Sequence, residues 1–331
     1  MIPWLLFPLR DAIPGFTVFR YVTFRAAMAA ASAMILSLLF GPLVIRTLSR
    51  LKMNQPILAD GPENHQVKAG TPTMGGALIV GAIVVSTVLW CDLASGGIWV
   101  ALVSLVGFGL VGACDDAKKL MRKQNLGLRS WQKMLLLTGI SLLVAYLILH
   151  FNLRGPFTEQ LSVPFFKNFK PHVGVFLVPW IWLVMVGTSN AVNLTDGLDG
   201  LAIGCTAIVS FVFLVLTYLA GNARTAAYLQ IPHVPGAGEL TVFCAAMLGA
   251  GLGFLWFNCH PACLFMGDTG SLALGGGLGM IAVLIHQPMV LAIAGGVFVA
   301  EAGSVIIQRT WFKITKFHYG EGRRVFLMAP L

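Results

Sequence analysis

Acidic side chains are scarce in this sequence. Asp and Glu number thirteen in 331 residues, and charged residues of both signs make up 11%. Soluble domains carry about twice that share, so a water-soluble globular fold is excluded. A disulfide framework is also lacking. Cys91, Cys114, Cys205 and Cys244 lie in or beside apolar runs, where small, weakly polar side chains are ordinary packing. Cys259, His260 and Cys263 have no fourth partner at zinc spacing, which argues against a metal site there. The opening Met1–Phe16 stretch has no basic n-region and is interrupted by Pro3, Pro8 and Pro14. It reads as an interfacial segment and not as a signal peptide. No repeat or linker divides the chain, so a single domain spanning 1–331 is expected.

What the sequence has in excess is hydrocarbon: 57% hydrophobic residues and a mean hydropathy of +0.83. Nine apolar runs approach the length needed to cross about 30 Å of bilayer. They are Ala27–Ile45, Met74–Trp90, Ile98–Cys114, Met134–Leu149, Val173–Gly187, Leu201–Ala220, Leu240–Phe257, Ser271–Ile285 and Met289–Ile307. The runs are continuously apolar and do not alternate, so an all-α, polytopic helical bundle is predicted and a barrel is not. Glycine strings at Gly249, Gly251, Gly253 and at Gly275, Gly276, Gly277, Gly279 resemble a dinucleotide fingerprint, yet no strand precedes them. Close helix packing is the better explanation.

Fifteen of the twenty-two Lys and Arg fall in the loops after the first, third and ninth runs, and seven fall on the other side. By the positive-inside pattern the first side is cytoplasmic and the N-terminus periplasmic. The net charge of +9 follows this pattern, so nucleic-acid binding is not expected.

Five of the thirteen acidic residues stand at run ends on the predicted cytoplasmic side: Asp115, Asp116, Asp196, Asp199 and Asp268. Carboxylates are costly near hydrocarbon, so such a cluster marks a functional site. If they converge they form a hard, oxygen-rich site suited to Mg²⁺ and phosphate. Adjacent Asp115 and Asp116 repel one another unless a cation or a proton intervenes. Lys119, Lys123 and Lys133 follow and supply cations for a polyanionic substrate or for lipid headgroups. The stretch Asn190-Ala-Val-Asn193-Leu-Thr195-Asp196-Gly197-Leu-Asp199-Gly200 places polar residues at every third position. A 3₁₀-like turn would stack them on one face, and two Asp-Gly pairs favour a tightly turned backbone. The loop containing Lys68, Gly70, Thr71, Pro72 and Thr73 reads either as backbone shaped to approach a phosphate or as an ordinary capped helix start. In the loop from Asn258 to Ser271, Asp268 opens a helix, where N-capping is the simplest role, and Phe265 either stacks on a base or anchors at the interface.

Taken together, these strings resemble the bacterial phospho-N-acetylmuramoyl-pentapeptide translocases, within the polyprenyl-phosphate N-acetylhexosamine-1-phosphate transferase superfamily. The matching segments are Lys68–Gly76, Asp115-Asp116, Asn190–Gly200, Phe265–Gly276 and Val325–Leu331. The resemblance implies a dimeric, multi-pass enzyme of the bacterial cytoplasmic (inner) membrane with its active site open to the cytoplasm. It would transfer phospho-MurNAc-pentapeptide from UDP-MurNAc-pentapeptide to undecaprenyl phosphate, giving lipid I and UMP with Mg²⁺. Asp268 would be the chief metal ligand, with Asp115 positioning or deprotonating the lipid phosphate and Asp116 supporting metal or phosphates. Asn190, Asn193, Asp196, Asp199 and Asn258 would line the nucleotide side, with Phe265 near the uracil. Lys68, Thr73, Lys119, Lys123 and Lys133 would contact phosphate or nucleotide. The family pattern continues past Leu331 into a histidine-rich string and a tenth helix, so nine spans are expected here, and the sequence is either a fragment or a chain whose activity is lost or much reduced. A sister transferase using UDP-GlcNAc is the alternative activity.

Overall fold

A computed structural model describes residues 1–11, 13–51, 71–122, 127–151, 153, 162–164, 166, 171–172 and 174–330. Among them every regular element is a helix. The long helices are α1 (Val22–Arg50), α2 (Gly76–Trp90), α3 (Gly96–Arg122), α4 (Ser130–His150), α5 (Leu177–Thr195), α6 (Leu201–Gly221), α7 (Ala237–Asn258) and α8 (Gly267–Leu284). They are followed by α9 (Pro288–Ala294) and α10 (Gly296–Tyr319). The opening segment forms short helical pieces broken at its prolines, Ile2–Leu6, Phe7–Asp11 and Pro14–Arg20.

Among the described residues every expected apolar run is helical, and the runs differ in length and straightness. Among the described residues seven helices are long and apolar enough to cross a membrane. The α2 helix is only 15 residues long, about 22 Å at 1.5 Å per residue. The ninth run is not one straight span, because α9 and α10 meet at an 85° bend. The break falls at Gly295-Gly296, and paired glycines are a common site of sharp kinks.

The centre of the bundle is α8, which packs chiefly on α3 and α5, beside α7, which packs on α1 and α6. Nearly all of α8 is buried, whereas α1 and α4 keep most of their surface outward. The glycine strings serve close approach, as expected. A Cβ at Gly275 would stand 2.6 Å from Ser189 Cα on α5, and one at Gly276 would meet the Phe108 ring on α3. On α7, Gly249 abuts the Ala30 backbone of α1 and Gly253 abuts Met34 and Ser37. Small residues therefore set how closely the backbones of α8 and α7 approach their neighbours.

Candidate active site

Antiparallel connections bring the C-terminal end of α3, the start of α4, the end of α5 and the start of α8 to one end of the bundle. The predicted carboxylates meet there. Asp115, Asp116 and Asp268 each offer an oxygen, and these oxygens lie within 4.8 Å of one another. Asp115 and Asp116 are 3% and 4% exposed, so little water screens their repulsion.

Two lysines offset part of that charge. Lys119 Nζ lies 2.7 Å from Asp115 Oδ2, 3.2 Å from Asp268 Oδ2 and 3.8 Å from Asp116 Oδ1. Lys133 Nζ, from the first turn of α4, donates to Asp268 Oδ2 at 2.8 Å. On the other oxygen of Asp268, Asn193 Nδ2 donates at 2.9 Å, and the same amide reaches Ser271 Oγ at 2.8 Å. Asp115 Oδ1 accepts the Leu128 amide at 2.7 Å.

Asp116 is held differently. Its Oδ2 accepts both the amide and the hydroxyl of Thr269, at 2.9 and 2.7 Å, and its Oδ1 accepts the Asp268 amide at 3.3 Å. The first turn of α8 has orphan N–H groups that every helix start must satisfy. N-capping is the simplest alternative role for Asp268, but it is the second residue of α8. Its own amide is capped from α3 by Asp116. The contact requires glycine on both sides: a Cβ at Gly112 would collide with the Asp268 carbonyl, and Gly267, at φ +72°, faces Asp116 Oδ2 and the Thr73 hydroxyl.

The Asn190–Gly200 stretch divides in two. Asn190 and Asn193 belong to the last turns of a regular α-helix, not to the expected 3₁₀ turn, and only the part from Asp196 to Gly200 is tightly turned. That turn ends at Gly200 with φ +76°. Asp196, half-buried, lies near the Gly267 amide at the start of α8. Burial pushes its carboxyl well above the usual carboxylate range, and the charges of Asp268 and Asp116 push the same way. Asp199 Oδ2 receives the Ala262 amide at 3.3 Å and lies 3.2 Å from His260 Nδ1.

Other expected site residues shape the surrounding loops. Asn258 is 2% exposed. Its oxygen accepts from the Gly200 amide, and its Nδ2 donates to the Leu264 carbonyl. It reaches the site only through the two loops it joins. Phe265 pairs by backbone with Pro72 and Gly75, which fixes the segment carrying Thr73 against the start of α8. Asn190 lies one turn before Asn193 and donates to Val186 O. Lys68 and Lys123 lie outside the described residues. Thr269, Ser271, Leu128 and His260 are the contributors that sequence reasoning did not assign. Thr269 and Ser271 stood inside a quoted string, but only the fold reveals that they face Asp116 and Asn193.

The three carboxylates form a hard, all-oxygen donor set with two ammonium groups beside it, which fits a small divalent cation next to a phosphate. Comparisons with known proteins point the same way. Residues 98–286 match glycosyl transferase family 4, and residues 68–80 match the phospho-N-acetylmuramoyl-pentapeptide-transferase signature 1. A relative so named from a Geobacter species is 50% identical over 335 residues, covering 100% of this chain and 90% of the relative. Another, from Desulfotalea psychrophila, is 51% identical, with 98% and 89% covered. A third, from Pelobacter propionicus, is 49% identical, with 100% and 90% covered. On this evidence the chain belongs to the phospho-N-acetylmuramoyl-pentapeptide-transferase family, within glycosyl transferase family 4.

Proposed function

We propose that this membrane protein transfers phospho-MurNAc-pentapeptide from its UDP carrier to undecaprenyl phosphate, forming lipid I and UMP. The observation that carries the reading is the meeting of Asp115, Asp116 and Asp268 with Lys119 and Lys133 at one end of the bundle. Such a reaction drives one phosphate against another, so its barrier is largely electrostatic. An oxygen of the lipid phosphate bonds to the sugar-bearing phosphorus. The bond from that phosphorus to the bridging oxygen breaks, and UMP departs with the electron pair.

In this reading Lys119 and Lys133 release their carboxylate partners in part and turn toward phosphate oxygens as charge accumulates. Mg²⁺ held by Asp268, with Asp115 and Asp116, would neutralise the diphosphate and its leaving group. Asp115 orients the lipid phosphate or takes its proton. Asn193 holds the second oxygen of Asp268 so that the carboxylate presents one fixed edge. The turn from Asp196 to Asp199, with Phe265 and Thr73, forms the nucleotide side. Lys68, Lys123, Asn190 and Asn258 complete that side as contacts or as supports of its loops.

The aspartates would face the cytoplasm of the bacterial inner membrane, where the nucleotide substrate is dissolved, and the N-terminus would lie outside. The distribution of Lys and Arg supports that orientation. Homodimerisation belongs to the same proposal. The test is Mg²⁺-dependent UMP release by the purified chain given UDP-MurNAc-pentapeptide and undecaprenyl phosphate. Release with that donor and not with UDP-GlcNAc supports this reading. The reverse preference would establish the sister transferase, and no release with either donor would remove the assignment from this chain.

A further inference from the structure

Far from the aspartates, at the opposite end of the bundle, the opening segment roofs a cavity of about 630 Å³. That volume is typical of a small-molecule site, roughly 300–1,000 Å³. The two sites are separate, since α3 climbs about 28 Å between Gly96 and Asp115 at 1.5 Å per residue. Most of the cavity wall is hydrocarbon, from Leu5, Phe7, Phe19 and Leu93 among others.

Its floor is polar: the Met1 ammonium and the Asp92 carboxylate line it, and Arg25 and Glu239 neutralise one another there. Arg25, 7% exposed, donates from Nη1 and Nη2 to the two carboxylate oxygens of Glu239 at 2.8 and 2.6 Å. Glu239 also accepts the Asp92 amide at 2.8 Å. Arg25 Nε is buried with no hydrogen-bond partner among the described residues. Arg20 also lines the cavity and is exposed, and it has no ion-pair partner among the described residues. A small soluble anion would find few free donors in so apolar a space. A neutral hydrocarbon would leave Arg20 unmatched. The fitting occupant has a hydrocarbon chain and one anionic head, and in a membrane protein the abundant molecule of that kind is a phospholipid.

We propose that this cavity binds an anionic phospholipid. One acyl chain lies between the opening segment and Leu93, and the phosphate stands against Arg20. Arginine pairs with phosphate oxygens through parallel N–H groups. Interfacial segments that combine apolar and basic side chains favour anionic lipid in the same way. Nothing in this argument depends on the transferase reading.

The test uses the full chain in phosphatidylcholine nanodiscs doped with phosphatidylglycerol carrying a photoreactive acyl chain, and the matching phosphatidylcholine probe as control. The result expected is crosslinking to residues 1–20 and 91–94 that is about fivefold stronger for phosphatidylglycerol, the factor one interfacial cation contributes. Arg20→Gln should abolish that preference, whereas Lys313→Gln on α10 should keep it. Ala94→Trp, which fills the cavity, should suppress labelling of these residues by both probes. Equal labelling by the two lipids, or a preference that survives Arg20→Gln, would overturn the proposal. Mg²⁺-dependent UMP release, measured on the same samples, reports on the other end of the bundle and keeps the two readings distinguishable.

Discussion

Asp268 is the residue on which most of the site's contacts converge: two lysines and an asparagine reach its two oxygens. Asp268→Ala should lower Mg²⁺-dependent UMP release by at least about a hundredfold, the scale of losing one preorganised electrostatic group. Titration calorimetry should show weaker Mg²⁺ binding by the same variant, and unchanged turnover would take Asp268 out of the site. Thr269 gives a finer prediction. Thr269→Val removes a donor to a buried carboxylate at a cost of about 1–3 kcal/mol, whereas Thr269→Ser keeps the hydroxyl. If Asp116 must be held for chemistry, Thr269→Val should lose kcat with little change in KM, and Thr269→Ser should restore it. Asp196 bears on pH. Its folded-state carboxyl titrates well above its ordinary value of 3.8, so the folded chain holds a proton that the unfolded chain has released. Stability therefore falls as pH rises from about 3.8 toward the raised value. Asp196→Asn should remove that slope and raise the thermal midpoint at neutral pH, as read by unfolding in detergent.

At this scale the sequence made the carboxylates legible, because an aspartate at the end of an apolar run has few inexpensive explanations. It did not reveal their partners. The Leu128 amide lies 13 residues from Asp115, and the Thr269 hydroxyl lies 153 residues from Asp116. Neither backbone amides nor hydroxyls carry a sequence signal for what they will face. Asn258 is expected on the nucleotide side, and the backbone groups its amide joins also lack side-chain signatures.

Among the elements, apolar run length located every long helix but not its straightness. The 85° bend between α9 and α10 sits at a glycine pair inside an unbroken apolar run, and hydropathy does not register backbone direction. The helical course of Asn190–Thr195 was likewise hidden behind polar residues at threefold spacing. The glycine strings were read correctly because small residues in spans have a steric meaning independent of topology. That meaning is testable position by position. Gly275→Ala pushes a methyl into the Ser189 backbone and should cost about 1–3 kcal/mol. Gly81→Ala on α2 meets nothing within 4 Å and should be neutral or slightly stabilising, by up to about 1 kcal/mol. Thermal unfolding of the two variants side by side decides whether close approach or mere flexibility selects glycine in α8.

For the molecule as a whole, positive-inside counting and run order were enough to place five aspartates at one end before any coordinates. The central position of α8 was not available in that way, since burial depth depends on which helices neighbour which. That position has a mechanical consequence. Asp268 stands on the first turn of the helix that the bundle encloses, and Asp116 ties that turn to α3. The anchor of the site therefore cannot shift by itself. Any opening or closing during turnover has to be done by the peripheral connections and by the substrates, around a post that stays still.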